Sequence, residues 1–443
     1  MLKKGSLTGL LLFGMFFGAG NLIFPPQLGL ESGQNFWPAI GGFVLSGVGI
    51  AILTLIIGTL NPKGYIDEIS KKIAPWFAVV YLVALYLAIG PFFAIPRTAT
   101  TAFSVGIEPM LPAGSHAIWL FGFTLVYFAL AYLIALNPSK ILDSIGRYLT
   151  PIFALLIVVL VVLGAAKYGS TAPQGATAEY AASAFGAGFL QGYNTLDALA
   201  SVAFSVVAVT TLNQLGFKNK KEYISTIWVV GILVALGFSV LYIGLAFLGN
   251  HFPLDLANLP KGANVGASVL SSATQAIFGP MAQIFLAIMV TVTCFTTTAG
   301  LIVSTGEFFH NTFPKVSYKV YATIFTLVGF AIANLGLNAI IQYSVPALEI
   351  LYPITITIVM IVMVNRFLPL SKPGMQLTIA VVTLIAFASI LGRQFKPTAI
   401  LNLVNALPFA QASLPWLLPA LVGILLSLLL PNKQKTEAFE FEA

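Results

Sequence analysis

Apolar runs long enough to cross a membrane recur along the whole chain, separated by short polar stretches. They fall near residues 6–30, 36–60, 74–105, 116–136, 148–166, 183–211, 222–248, 281–308, 318–336, 338–365, 374–392 and 412–430. About 20 apolar residues in a helix span the ~30 Å hydrocarbon core. The pattern predicts an all-α polytopic membrane protein with about 12 transmembrane helices. An even number of spans puts both termini on one side. Lys3, Lys4, Lys63, Lys71, Lys72, Lys140, Arg147, Lys218, Lys220, Lys221, Lys315, Lys319, Arg366, Lys372, Lys433 and Lys435 fall on the same side as the termini. Only Lys167, Lys261, Arg393 and Lys396 fall on the other, and Arg97 lies inside a span. The basic side of a membrane protein faces the cytoplasm. The expectation is a multi-pass protein of the plasma membrane with both termini, and the tail 431–443, in the cytoplasm.

Composition agrees. Of 443 residues, 58% are hydrophobic and 8% charged, against about 25% charged in soluble domains. The net charge of +7 (21 − 14) sits in loops between spans, which points to membrane lipid and not to nucleic acid as the partner. The single cysteine, Cys294, excludes a disulfide within the chain, and the first run lacks an A-x-A cleavage site. The connection 249–280 contains Pro253, Pro260, Gly262, Gly266, Gly279 and Pro280. Its length suits either a lid of short helices over an outer vestibule or a plain connector.

The first and sixth runs are interrupted. Phe17-Gly18-Ala19-Gly20-Asn21 falls near mid-membrane in the first, and Gln191-Gly192-Tyr193-Asn194-Thr195-Leu196-Asp197 at similar depth in the sixth. Irregular backbone at that depth survives only inside protein or beside a cavity. Spans 1 and 6 hold corresponding places in two sets of five, 6–166 and 183–365, and run in opposite directions. The chain therefore reads as one transporter domain, two inverted repeats followed by two further helices at 374–430. Paired breaks of this kind point to a transporter's binding site. Free N–H groups at a half-helix start suit a carboxylate, and unwound carbonyls suit a cation or an ammonium, so an amino acid fits. The plainer alternative makes Gly18 and Gly20 a packing face for a neighbouring helix.

Gly18-Ala19-Gly20-Asn21-Leu22-Ile23-Phe24-Pro25 resembles the G-x-G-N-x-x-x-x-P pattern of the first helix in LeuT-fold transporters, with the proline one residue early. With the opening FFGAGNLIFPPQLG and the stretch QGYNTLDALAS, the whole chain is similar to the branched-chain amino acid:cation symporters (LIVCS family, BrnQ type). The resemblance implies uptake of leucine, isoleucine and valine by symport with Na+, an H+-coupled version being the alternative. It implies that Gly18, Ala19, Gly20, Asn194, Thr195, Asp197, Thr297 and Leu301 line the substrate site. It implies a metal site formed by the carbonyls of Gly14 and Phe17, by Asn21, and by Thr293, Thr296 and Thr297, whose spacing puts them on one helical face. Oxygen donors suit a hard cation; helix back-bonding is the other use of such threonines.

Ionisable residues inside a membrane are expensive and mark function. Asp197 can hold an ammonium, a cation or a proton, or cap the second half of span 6. Arg97 and Glu349 lie at equal depth in spans 3 and 10 and form a candidate outer gate; Glu307 near a span end is an anchor. Phe92, Phe93 and Leu301 are candidates for the apolar pocket. An enzyme is the rival class, resting on a single Glu307-x-x-His310, where a di-iron site needs two such motifs. No catalytic residues are expected.

Overall fold

The computed structural model describes residues 13, 14, 16–61, 63–112, 116–136, 140–213, 220–260, 262–395 and 398–433. The start of the first span, Lys3, Lys4, Lys218, Lys261, Lys396, Lys435 and the acidic end of the tail lie outside them. Among the described residues the chain is helical, with one isolated bridge between Ser371 and Lys433 and no strand. In order the helices are α1 Ala19–Ser32, α2 Phe36–Val44, α3 Ile50–Thr59, α4 Gly64–Lys72, α5 Pro75–Leu87, α6 Ala94–Ala102, α7 His116–Leu136, α8 Lys140–Tyr168 and α9 Ala178–Tyr193. There follow α10 Asp197–Asn213, α11 Lys220–His251, α12 Val265–Phe278, α13 Met281–Thr312, α14 Tyr318–Ala333, α15 Leu337–Phe367, α16 Lys372–Phe395, α17 Thr398–Asn405 and α18 Leu417–Leu429. Seven described stretches are long and apolar enough to cross a membrane unaided, and Ile152–Tyr168, Tyr318–Ala333 and Leu417–Leu429 are shorter apolar helices. The sixth span is split between α9 and α10. Large apolar side chains such as Ile118, Leu133, Leu384 and Leu429 are exposed, as a lipid-facing surface requires.

Contacts sort the connections into two groups. Arg366 Nη2 donates to the Leu60 carbonyl (3.1 Å) and lies 3.7 Å from Glu68. The Tyr318 hydroxyl donates to Ala135 O (2.7 Å), and Lys372 N to Asn432 O (3.3 Å). All of these join ends that the basic-residue count puts together. In the other group, Thr177 N donates to Glu31 O (2.9 Å), Gln174 Nε2 to Leu254 O (2.6 Å), Gln283 Nε2 to Val105 O (2.7 Å) and Asn338 Nδ2 to Gly262 O (2.9 Å). The connection 249–280 holds a short helical turn and α12, whose N-cap Asn264 accepts from Ala267 N (3.0 Å). It is a folded segment packed on α1, since a Cβ at Gly266 would lie 1.8 Å from Ile23 O.

Helix packing is crossed between the halves: α1 packs on α11, and α2 on α9. Exchanging the first span for the sixth and the second for the seventh leaves this arrangement unchanged. Both pairs use reciprocal glycines. A Cβ at Gly29 would lie 1.8 Å from Ala246 O, and one at Gly249 2.1 Å from Pro26 O. A Cβ at Gly42 would lie 2.2 Å from Phe185 O, and one at Gly188 1.9 Å from Ala39 O. Without a hydrophobic force between helices in lipid, this backbone-to-backbone approach supplies the packing. A second group forms from α6, α7, α13 and α14. There Tyr127 and Thr98 both bond the Thr298 hydroxyl, and a Cβ at Gly329 would lie 2.8 Å from Ile95.

Adjacent glycines test the packing argument. Gly41 faces outward with nothing near its absent Cβ, while Gly42 is buried against Phe185. Gly42→Ala is expected to destabilise by about 1–3 kcal/mol through overpacking. Gly41→Ala should be neutral or stabilise by up to about 1 kcal/mol through helix propensity. Thermal unfolding of both variants in one detergent checks this; equal stabilities would remove the argument.

Candidate functional site

The first break lies at Phe17 and Gly18. Phe17 N closes the preceding turn on Phe13 O (2.9 Å), and Gly18 leaves the helix at φ −125°, ψ −170° as N-cap of α1. The Asn21 side chain then reaches back and donates to Phe16 O (2.8 Å). The first N–H groups of a helix have no acceptor within it, so those of Ala19 and Gly20 open the new helix at this depth.

The second break spans Asn194 to Leu196, between α9 and α10. Leu196 turns the chain at φ +66°, a conformation seldom adopted by a bulky side chain. Thr195 Oγ1 donates to Gly192 O (2.9 Å) and accepts from Asp197 N (3.3 Å). Thr195 thus serves the helix end and leaves the Asp197 carboxylate for another partner, the Tyr242 hydroxyl at 2.7 Å. Asp197 is 6% exposed. Gly20 stands at the crossing of the two breaks: a Cβ there would lie 3.2 Å from Thr195 Cα and 3.3 Å from Asn194 O.

A third break, not expected, lies in span 3. Gly90 is non-helical (φ −96°, ψ −124°) beside Pro91, which has no N–H to give. The break re-aims α6, which carries Arg97 and Thr98. Arg97 is 3% exposed. Its Nη1 donates to Asn194 O and its Nη2 to Thr195 O (3.3 Å), and the guanidinium lies 5.3 Å from the Phe24 ring centroid.

These elements line a partly open cavity with about 430 Å³ of unfilled space, the open solvent at its mouth included. Gly18, Ala19, Gly20, Asn21, Thr195, Asp197, Thr297 and Leu301 line it, as does Arg97. Asn194 does not: its carbonyl is held by Arg97 and its side chain donates to Gln191 Oε1 (3.0 Å). Phe92 is 41% exposed and neither it nor Phe93 reaches the cavity; the break turns them away and presents Ile89 and Ala94 instead. Phe16, Thr98, Leu196, Ala200 and Phe204 complete the wall. Asp197, Ala200 and Phe204 share a helix face by their i, i+3, i+7 spacing, and Gly90-Pro91 is a recognisable breaker, so both features carried a sequence signal.

Arg97 and Glu349 do not form the expected pair in this conformation. Arg97 is spent on the carbonyls of the second break, and Glu349 Oε1 accepts from Arg393 Nη1 (2.7 Å). Equal depth left out the direction of each helix face. Thr296 and Thr297 both donate to Thr293 O (2.9 and 3.2 Å), leaving their oxygen lone pairs free, while the buried Thr293 hydroxyl has no partner. The absent Cβ of Gly18 is 3.8 Å from Thr297 Oγ1, which brings this face against the first break. Such a donor set fits a hard cation. Gly14 stands in the turn before the break and Phe17 at the break itself, and neither lines the cavity. His310 Nδ1 pairs with Val316 O (2.9 Å), and the described residues hold no His/Cys/Asp/Glu cluster with metal-ligand geometry.

An all-helical membrane bundle whose cavity lies where broken helices meet has the architecture of a LeuT-like transporter. Superposition on Mhp1, a nucleobase-cation-symport-1 family transporter solved in a closed conformation with bromovinylhydantoin bound, covers 96% of this chain and 91% of that one (TM-score 0.60, 14% identity). Superposition on MhsT, solved in complex with L-phenylalanine, covers 86% of this chain and 98% of that one (TM-score 0.58, 17% identity). Residues 1–434 match the family described as branched-chain amino acid transport protein, and the chain belongs to that family. Candidate branched-chain amino acid carrier proteins of Staphylococcus haemolyticus (40% identity, 96% of each chain) and Staphylococcus aureus strain USA300 (39%, all of each chain) are similar throughout.

The Tyr242–Asp197 bond should be measurable without any ligand. Tyr242→Phe leaves a buried carboxylate short of a donor, a loss of about 1–3 kcal/mol. In a double-mutant cycle with Asp197→Asn the two losses should not add. Additive losses in thermal unfolding would show that the hydroxyl acts elsewhere.

Proposed function

We propose that the protein imports branched-chain amino acids (leucine, isoleucine and valine) across the plasma membrane by symport with a cation, Na+ in the first instance. The observation that carries this reading is the convergence of the two breaks, a guanidinium and a carboxylate on one cavity whose remaining wall is apolar, hydroxylic and amide. The free amides of Ala19 and Gly20 take the substrate carboxylate, and Asp197 takes the ammonium. Phe16, Ile89, Ala94, Phe204 and Leu301 surround the branched side chain. Thr293, Thr296 and Thr297, with the carbonyls of Gly14 and Phe17, hold the sodium, and the chain has no catalytic role. The inverted repeats 6–166 and 183–365 supply alternating access, with both termini in the cytoplasm. One cation entering down ~100 mV contributes ~2.3 kcal/mol, enough for roughly 50-fold accumulation of a neutral zwitterion, since ~1.4 kcal/mol is tenfold.

Leucine uptake into proteoliposomes with an imposed sodium gradient and an inside-negative potential tests the reading. Concentrative uptake is expected with sodium and not with a proton gradient alone. Uptake with protons alone would transfer the coupling role to Asp197. No uptake in either case, from folded protein, would overturn the substrate assignment. An apolar pocket separates Val from Ile by only ~1–3 kcal/mol per methylene, so the three substrates should compete for one site. Thr293→Val and Thr297→Val should raise the sodium concentration for half-maximal uptake at least about tenfold, one lost ligand being worth ~1.4 kcal/mol or more. An unchanged sodium dependence would place the ion elsewhere.

A further inference from the structure

We propose that Arg97 is a tethered cation, held at the break of the sixth span on the oxygens that a coupling ion would otherwise ligate. The carbonyls of Gln191, Gly192 and Tyr193 at the negative end of α9 accept from the N–H groups of Asn194, Thr195 and Leu196 (3.1, 3.2 and 3.0 Å), which leaves the carbonyls of Asn194 and Thr195 beyond the helix end to find other donors. Two carbonyls at the break, Asn194 O and Thr195 O, already accept from one guanidinium. The charge is fixed there by backbone geometry. The Gly90 break turns α6 toward the site, and Gly20 leaves the space: a Cβ on it would lie 3.1 Å from Arg97 Nη2. The Phe24 ring covers the guanidinium at 5.3 Å.

The cavity-lining residues include two ionisable groups, Arg97 and Asp197, which interact electrostatically. With Asp197 ionised, the two charges offset one another. A neutral zwitterion adds no net charge to this set, whereas a metal ion on the same carbonyls would stand beside a buried guanidinium and be repelled. The threonine face of α13 is a separate place, where the buried Thr293 hydroxyl lacks a partner. The inference therefore deepens the symport reading and rests on it for the identity of the ion: the sixth-span break has a built-in positive charge, and the protein carries one metal ion at most. Arg97 is a positioning residue in this account. It keeps the unwound backbone in shape whether or not an ion is bound.

Radiosodium binding to purified protein, counted per chain, tests this independently of transport. The full-length protein should bind one sodium or none, and Arg97→Gln one more than the unaltered protein, because its vacated carbonyls and the uncompensated Asp197 form a new cation site. Arg97→Lys keeps the charge and should keep the unaltered count. Two sodium ions on the unaltered protein, or no increase in folded Arg97→Gln, would overturn the proposal. If Arg97→Gln does not fold, as judged by size exclusion, the unaltered count decides alone: one or none supports the proposal and two defeats it. Sodium binding without leucine uptake would instead fault the substrate assignment and leave this inference standing.

Discussion

A peptide carbonyl released from its helix at mid-membrane must find its partner in protein or at a cavity, since the lipid offers none. At Gly18 and at Asn194–Leu196 protein groups supply such partners, partly from within each break and partly from the helix that follows the Gly90 break. Asn21 returns its amide to Phe16 O, closing the first. Thr195 bonds both sides of the second, to Gly192 O and from Asp197 N. The carbonyls of Asn194 and Thr195 are met by Arg97, which reaches them from a helix that is itself re-aimed at Gly90. Loss of any one of these contacts would leave a buried polar group unpaired in another part of the site.

The same contacts set the chemistry of the cavity. A guanidinium and a carboxylate, each 6% exposed or less, stand in a wall that is otherwise apolar, hydroxylic, amide or backbone. Burying two charges is costly unless each is hydrogen-bonded, and here Tyr242 and the two carbonyls supply bonds to both, Arg97 Nε alone being left without a partner. A site already balanced in charge and lined with free helix amides suits a ligand carrying both signs, and the apolar remainder suits a hydrocarbon side chain.

The breaks at Gly18–Asn21 and Asn194–Asp197 are legible in the sequence because glycine and polar side chains inside an apolar run cost free energy unless a site uses them. The sorting of connections is legible because lysine and arginine avoid one side of the membrane. Gly90-Pro91 carries a weaker signal of the same kind, since a proline in an apolar run can kink a helix without opening it. The partner of Arg97 is out of reach of the sequence: depth along a helix follows from counting residues, whereas the face it presents depends on the backbone angles of the kink below it. Phe92 and Phe93 miss the cavity for that reason too. Much of the cavity wall comes from small or apolar residues such as Ala94, Ala200 and Ile89, which look like any other packing residue until three helices are brought together.

Packing also indicates where movement would be least opposed. The pairs α1–α11 and α2–α9 meet backbone to backbone at Gly29, Gly249, Gly42 and Gly188, and sliding either would drive a carbonyl into a Cα. The group of α6, α7, α13 and α14 is joined by the Thr98–Thr298–Tyr127 hydroxyls and by close contacts at Gly329 and Gly106. Between the two groups lies the cavity, bridged by side chains: the Arg97 guanidinium on one side and Thr297 beside Gly18 on the other. Long side chains change rotamer on far faster timescales than helices repack. Packed interfaces, by contrast, shift as units. Movement of one group against the other therefore has a natural seam, and the residues that cross it also line the cavity.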